Sequence, residues 1–478
     1  MVHSVERVAI IGAGPAGLAA AKFLLAEKAF HKIDIFEQRD EVGGVWNISS
    51  ASDKYGEIIP IPQVDAHPPP EDSNHPEQET FPSPMYNELE TNIPKELMGF
   101  SDFAFPAEYQ VFPRHQDIKQ YLIEYAKEIR SLIQFQSHVI GVELENAQLG
   151  TWKVTRRCLK DNAVKSSIYD AVVAANGHYA VPYVPAIPGI SAFSKAFPDT
   201  VQHAKHYLSR DPFKDKKVLV IGNSASGVDI SAQISEVCQL PILMSVRSKS
   251  ELPPRTIKQV TYPEIKVFLN PDIYDRAVQF KDGHVEEHID AILFCTGYLY
   301  ALPFLHQFTP PLISDGQRVQ GLYQHLFSIE HPTIVFPVLP QKAVPLPHAE
   351  NQAAVFSRVW SGRLTLPSKE IMYKWEEETI RQRGAGREFH YLPFPADLQY
   401  LNQMYDWALS AEPKFGLENQ GQGKIGTYWG EEQSWIRARL AVMRDEFAKQ
   451  GERRHSIRSL KELGFEFAMN RTPPTSKI

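Results

Sequence analysis

Cysteine is scarce in this chain: Cys158, Cys238 and Cys295 are the only three, and they are far apart. That excludes a disulfide framework and a CxxC redox or metal motif, and a reducing compartment fits best. Long apolar runs are missing too, since none reaches the roughly 18 residues needed to cross a bilayer. Nor does positive charge prevail. Lys and Arg number 50 against 57 Asp and Glu, a formal charge of −7, and no basic run offsets this locally. A nucleic-acid binder would carry the opposite footprint. What remains is ordinary for a globular protein, with 43% apolar and 22% charged residues, and 478 residues imply two or three domains.

A cleaved leader is not expected. The apolar stretch Val8 to Leu25 imitates one, but its glycines have another use, given below. The chain ends in Ser476-Lys477-Ile478, which resembles the peroxisomal Ser-Lys-Leu signal except at its last residue. The expected location is cytoplasmic, with the peroxisome as the alternative.

Apolar periodicity divides the chain into repeated units. Arg7 to Ile11 reads as a buried strand, Gly12 begins a turn, Ala16 to Lys28 reads as a helix, and Lys32 to Phe36 as the next strand. Pro60 to Pro84 holds eight prolines among polar residues and reads as an extended surface loop. A helix is expected over Asp117 to Ser131, and strands at Val139 to Leu144, Trp152 to Arg156 and Ala171 to Ala175. After Pro182, Pro185 and Pro188 the first pattern returns: strand Lys216 to Ile221, helix Gly227 to Val237, strand Ile242 to Val246. A second echo pairs Asp170 to Gly177 with Asp290 to Gly297, each an acid, a buried strand and a glycine turn. Beyond Pro367, helices are expected at Ile371 to Arg383, Ala396 to Leu409 and Glu431 to Ala448.

The first turn is Gly12-Ala13-Gly14-Pro15-Ala16-Gly17, a GxGxxG between strand and helix. Gly12 permits the tight turn, Gly14 lets a pyrophosphate approach the backbone, and Gly17 lets the helix pack closely. The helix N-terminus adds oriented N–H groups. Glu37 follows Gly17 by 20 residues, at the end of the next strand. An acid there accepts a ribose 2′-hydroxyl and repels a 2′-phosphate. The second turn is Gly222-Asn223-Ser224-Ala225-Ser226-Gly227, with Ser224 replacing the middle glycine. Twenty residues after Gly227 stands Arg247, with Lys249 nearby, where the first unit has its acid. A cation there suits the 2′-phosphate of NADP, and the bland alternative is a solvated strand-end arginine.

Two dinucleotide turns of opposite ribose preference point to FAD and NADPH working together. The cysteines cannot form the closely spaced pair that a disulfide reductase needs, and no His, Cys or carboxylate cluster has metal-ligand spacing, so no metal is expected. Oxygen remains as the electron acceptor.

With these residues in view, the chain resembles the flavin-containing monooxygenases from about residue 7 to residue 365. The resemblance rests on Gly12 to Gly17, Gly43-Gly44-Val45-Trp46, Thr91-Asn92-Ile93-Pro94-Lys95 and the spaced set Phe197, Asp199, His203 and Tyr207. The serine-containing second turn ending in Asp229 and the segment Phe294 to Tyr298 complete it. Asp199 stands where the family usually has glycine, so the turn there is expected to be built differently. With no apolar tail, the soluble fungal-type members are the closer comparison.

The resemblance implies an α/β fold of two Rossmann-like domains, the NADPH domain inserted into a discontinuous FAD domain. The expected boundaries are 1–180 and 301–478 for FAD, the latter with a helical C-terminus, and 181–300 for NADPH. Crossings around Pro182 and Gly297 would act as hinges. Gly44, Val45 and Trp46 match the loop along the flavin, although Trp46 also reads as core. Thr91 and Asn92 match a pair between flavin and nicotinamide, with Asn92 the catalytic candidate and a turn former otherwise. Ser226, Gly227 and Asp229 match the NADP side. His203, like His206, reads as packing or hinge, and Glu350 and Gln352 either approach the flavin or begin a surface helix.

The implied activity is that of an N,N-dimethylaniline monooxygenase-like enzyme. It passes one oxygen atom of O2 through a C4a-hydroperoxyflavin to an amine nitrogen or a thiol or thioether sulfur of a small molecule. Two alternatives stand beside it. One is Baeyer–Villiger oxidation of a ketone, where the matching fingerprint ends in Trp-Pro rather than Tyr207-Leu208. The other is a non-catalytic flavin and NADPH-binding module. Neither a nucleic acid nor a membrane anchor is implied, and homo-oligomerisation stays open.

Overall fold

The computed structural model describes residues 5–48, 61–66, 81–146, 150–248, 258–305 and 308–468. Two sheets organise it. In the first, the strand Arg7–Ile11 pairs in parallel with Lys32–Phe36 on one side and Ala171–Ala174 on the other. Ile133–Gln134 extends one flank, and Ile334–Val335 extends the other in parallel. The antiparallel pieces Leu322–Tyr323 and Phe327–Ser328 close that edge. The second sheet repeats the scheme entirely in parallel, in the order Gln259–Tyr262, Ile242–Ser245, Val218–Ile221, Ala291–Phe294, Val201–His203.

The alternation of side chains along a strand explains how each sheet is covered. Val8 and Ile10 face the helix Pro15–Ala26 and the C-terminal helices. Ala9 and Ile11 face an antiparallel sheet of Ser137–Asn146, Thr151–Cys158 and Val164–Tyr169. In the second unit Val218 and Val220 meet the helix Ala225–Ser235, and Leu219 and Ile221 meet Ile265, Phe268 and Phe280 of a smaller antiparallel sheet. Burying each such Val, Leu or Ile contributes about 1.5–3 kcal/mol.

The echoed acids have a structural use. Asp170 Oδ2 accepts the N–H of Arg7 at 2.8 Å, and Asp290 Oδ2 accepts that of Lys217 at 2.9 Å. In each unit the acid before the strand that flanks the first one therefore ties down the chain as it enters that first strand. The two crossings between units also run together. Val181–Pro182 pairs antiparallel with Tyr298–Leu299, and the N–H of Tyr183 donates to Gly297 O at 2.8 Å. The second unit thus hangs on a two-stranded stem.

Three expectations are corrected. The apolar run Ile334 to Val338 reads in the sequence as one strand, but the strand stops at Val335, and Val338 lies at φ 59. The helix expected over Glu431 to Ala448 is two, Glu431–Ala438 and Leu440–Lys449, broken at Arg439. At Asp199 the turn is not built differently: its φ of 63 is the glycine conformation, held by an aspartate. The extended surface loop expected over Pro60 to Pro84 lies outside the described residues at 60 and 67–80; of its described flanks, Ala66 is in the core and Ser83 is buried, whereas Val64 and Asp65 are exposed.

Candidate functional site

Ligands of open α/β sheets bind beyond the carboxyl ends of the parallel strands, and both glycine turns lie there. Gly12 has φ 100, and a Cβ on it would stand 2.6 Å from Ala175 O. Gly222 repeats this with φ 103 and 2.6 Å to Cys295 O. The middle position differs in kind. Gly14 has φ −76 and Ser224 φ −85, values open to any residue, so the backbone itself admits the serine. Neither helix has a side-chain cap, and Pro15 sits where an N–H would be unsatisfied anyway. The remaining N–H groups of each first turn point out of the turn for an anion.

Around the first turn the chain builds a cradle. The N–H of Gly43 donates to Ala13 O at 3.0 Å, which brings the Gly43–Trp46 loop onto the turn. A Cβ on Gly44 would lie 3.1 Å from Gly14 Cα, so two bare backbones meet here. Glu37 is buried, its carboxylate accepting from Ala13 N at 2.7 Å and Arg39 N at 2.9 Å. Asn47 spends its amide N–H groups on Glu41 O and Val42 O, leaving its buried Oδ1 with no hydrogen-bond partner among the described residues. Uncapped N–H groups, a buried acid at the strand end and an orphaned acceptor beside the loop fit a flavin dinucleotide. Val45 and Trp46 form the short helical turn of this loop, and the Trp46 ring packs into the core, as does part of Ala16.

A strap joins the two units. The N–H of Asn87 donates to Leu208 O at 3.0 Å, and Tyr86 sits within the second unit's core. At the other end Glu90 is clamped by Arg444 Nη2 at 3.0 Å and Arg454 Nε at 3.2 Å, both from the C-terminal region. The two arginines hold the Glu90 carboxyl below its usual range against the cost of burial. Thr91 follows immediately, its N–H donating to Pro113 O and its hydroxyl to Ile93 O. Asn92 is half-buried and its side chain makes no hydrogen bond among the described residues.

On the second turn Ser224 and Ser226 are exposed, and so is Arg247 just past the strand Ile242–Ser245. Asn223 Nδ2 donates to Ser248 O at 2.7 Å, drawing the Arg247 segment to the turn. Lys249 lies outside the described residues. An exposed cation and exposed serine hydroxyls at an uncapped helix start fit NADPH. Asp229 turns away from that opening. Its carboxylate accepts from Tyr86 Oη at 2.6 Å and Gln233 Nε2 at 3.0 Å, with Arg444 Nη2 at 3.9 Å. Lys342, which sequence reasoning passed over, reaches from the first unit to within 3.4 Å of Ser224 Oγ.

The remaining candidates are structural in their contacts. His203 donates from Nε2 to Gly297 O at 3.0 Å, accepts Lys205 N on Nδ1, and burial lowers its pKa to about 3. Tyr207 donates to Gln233 Oε1 at 2.9 Å. Glu350 and Gln352 do not begin a surface helix. They lie inside Pro345–Trp360, a 16-residue helix whose middle is wholly buried. Glu350 accepts from Ser101 N at 2.8 Å, Ser101 Oγ and Thr427 Oγ1, and burial raises its pKa to about 7. Gln352 accepts the N–H of Val338 at 2.7 Å. Among the described residues no group of His, Cys, Asp or Glu could hold a metal, and no helix is long and apolar enough to cross a membrane.

Comparison with known proteins places the chain among flavin-dependent oxygenases. A family model described as flavin-binding monooxygenase-like matches residues 74–270 and 264–406, and one for NAD(P)-binding Rossmann-like domains matches residues 10–60. Flavin-containing monooxygenase FMO GS-OX3 of Arabidopsis thaliana is 34% identical over 382 residues, covering 77% of this chain and 76% of its own. FMO GS-OX-like 2 of the same plant is 34% identical over 422 residues, 84% of each chain. Among solved structures, the S-allyl-L-cysteine S-oxygenase of Allium sativum superposes with a TM-score of 0.77 at 28% identity, over 97% of this chain and 98% of its own.

Proposed function

The chain belongs to the flavin-binding monooxygenase-like family, and on that premise we propose that it transfers one oxygen atom of O2 to a soft nucleophile of a small molecule, thioether or thiol sulfur first and amine nitrogen second. It is a flavin-dependent monooxygenase whose cofactors are FAD and NADPH. The observation that carries the substrate reading is the S-oxygenase whose structure matches this one over 97% of the chain.

Bound FAD, reduced by NADPH, supplies the electrons that activate oxygen and the site from which one atom is delivered. The protein's own part is binding, orientation and exclusion of water. The N–H groups of Ala16 and Gly17 would hold the FAD diphosphate, and Glu37 would receive the adenosine ribose. The Gly43–Trp46 loop would hold the flavin portion, with Gly44 keeping the backbone accessible. At the second turn Gly222, Ser224, Ser226 and Gly227 would hold the NADPH diphosphate, and Arg247 would receive the 2′-phosphate.

Asn92 orients the reacting groups through an amide that is uncommitted among the described residues. Thr91 and Glu90 hold it by backbone and ion pair. Asp229 acts at one remove, fastening the strap to the NADPH side through Tyr86. The oxygen-transfer step then needs no nucleophilic side chain and no metal.

The test is turnover with NADPH, O2 and a panel of alkyl thioethers, amines and cyclic ketones, with products identified by mass. A sulfoxide in stoichiometric ratio to NADPH supports the reading. NADPH consumption that yields only hydrogen peroxide with every compound, or an ester from the ketone alone, would overturn it.

A further inference from the structure

We propose that Lys342, on a loop of the first unit, supplies the cation that binds the diphosphate of NADPH at the second glycine turn. The inference rests on the reading of Gly222 to Gly227 as the NADPH turn and names a ligand that lies outside it in the sequence.

The turn alone is short of positive charge. The helix Ala225–Ser235 offers uncapped N–H groups, which favour an anion, but its motif contains no lysine or arginine. Ser224 also sets a side chain at the middle position, where the first turn has bare backbone. Arg247 stands at the end of the next strand, the ribose end of such a site, not the diphosphate end.

Lys342 meets this shortage from the opposite side. Its Nζ lies 3.4 Å from Ser224 Oγ, across a separation of 118 residues in the chain. The placement is built in. Lys342 has φ 63, which costs an ordinary L-residue roughly 1–2 kcal/mol and needs support from its surroundings. That support is Arg437, whose Nη2 donates to Lys342 O at 2.8 Å while its Nε donates to the fully buried Asp397 at 2.6 Å. Tyr391 flanks the ammonium, with its ring centre 6.0 Å from Nζ. A compact ammonium on a flexible stem suits a diphosphate as a point charge, whereas a planar guanidinium suits the single phosphate that Arg247 faces.

NADPH bound in this way would be gripped by both units at once, its diphosphate between the second unit's turn and the first unit's lysine. The two cations would also divide the recognition. Lys342 would read a group common to NADP⁺ and NAD⁺, and Arg247 the group that separates them.

The division is testable by calorimetric titration of the FAD-loaded protein with NADP⁺, NAD⁺ and 2′-AMP, which carries the 2′-phosphate without a diphosphate. Lys342→Met is expected to weaken NADP⁺ and NAD⁺ by about tenfold or more and to leave 2′-AMP unchanged, with Lys342→Arg recovering most of the loss. Arg247→Ala is expected to weaken NADP⁺ and 2′-AMP and to spare NAD⁺. FAD content and melting temperature check that each variant is folded, and Lys342→Gln stands in if the methionine disturbs the loop. Wild-type affinities in the Lys342 variants, with Arg247→Ala behaving as expected, would overturn the proposal alone. Loss of NADP⁺ affinity only in Lys342→Met would move Lys342 to the 2′-phosphate and also overturn it. No change in any variant would bring down the reading of the turn itself.

Discussion

Tyr86 donates its hydroxyl to Asp229 Oδ2 at 2.6 Å, and this bond fastens the strap that precedes Thr91 to the helix that follows the second glycine turn. Both partners are buried, and burial followed by the facing carboxylate raises the phenol pKa well above its ordinary value. Tyr86→Phe removes the donor while Gln233 and Arg444 still face the carboxylate. The expected cost is about 1–3 kcal/mol, read as a lower melting temperature with FAD content kept. An unchanged melting temperature would show that the bond contributes nothing net.

Asn92→Ala removes an amide that no described residue hydrogen-bonds. Stability and FAD content are expected to hold, while the ratio of oxygenated product to NADPH consumed falls and hydrogen peroxide rises. Measuring that ratio with and without catalase checks the role, and an unaltered ratio would leave Asn92 as a turn former.

Gly44→Ala places a methyl group 3.1 Å from Gly14 Cα, at a residue whose φ is 57. Both the strain and the contact push the loop off the first turn. The purified variant is expected to lose most of its flavin, seen as the absorbance of bound flavin relative to protein. Full flavin occupancy would mean that the loop does not lie along the cofactor.

Glu350 gives the fold a pH dependence. Its folded pKa of about 7 exceeds the usual 4.5 because burial penalises the carboxylate. The native state therefore holds the proton more tightly than the unfolded chain. Stability falls as pH rises from about 4.5 towards 7 and levels off above, a difference of about 3 kcal/mol at most. Glu350→Gln is expected to flatten melting temperature against pH across that window, and an equally sloped profile would exclude Glu350 as the source.

Asp199→Gly replaces an L-residue held at φ 63. Relief of the left-handed conformation favours the variant by roughly 1–2 kcal/mol, and glycine's extra freedom in the unfolded chain opposes it by roughly 0.5–1 kcal/mol. The net expectation is a small gain, up to about 1 kcal/mol, measured by denaturant unfolding. A destabilised variant would mean that the aspartate side chain is used.

The parts of the fold legible in the sequence were those governed by local period and turn chemistry. Both strand–turn–helix–strand units follow from apolar runs meeting glycine, and the Asp170 and Asp290 echo marked two strand entries that the structure ties down identically. The helix Pro345–Trp360 escaped because Pro345 and Pro347 open it and because Glu350, Asn351 and Gln352 occupy its core-facing surface. Periodicity reads such residues as solvent-facing, yet here tertiary hydrogen bonds satisfy them. The turns of the site were legible for the same reason as the fold. The direction of the Asp229 carboxylate was not, since a motif carries residue types but no rotamers. Nor were Arg437 and Arg444, whose roles exist only once distant segments meet.

The stem of Val181–Pro182 and Tyr298–Leu299 sets the order in which the chain can assemble during synthesis. Val172 must find Ile334, about 160 residues later, before the first sheet is complete on that side. Every strand of the second sheet, from Val201 to Phe294, leaves the ribosome before Ile334 does. The inserted unit therefore has all its partners early, while Ala171–Ala174 waits with one edge open. Such an open edge invites pairing with another chain, and non-local closure is slow. A stalled or truncated chain would thus carry a finished nucleotide-binding half beside an exposed strand, and the danger in making this protein is concentrated between residues 295 and 335.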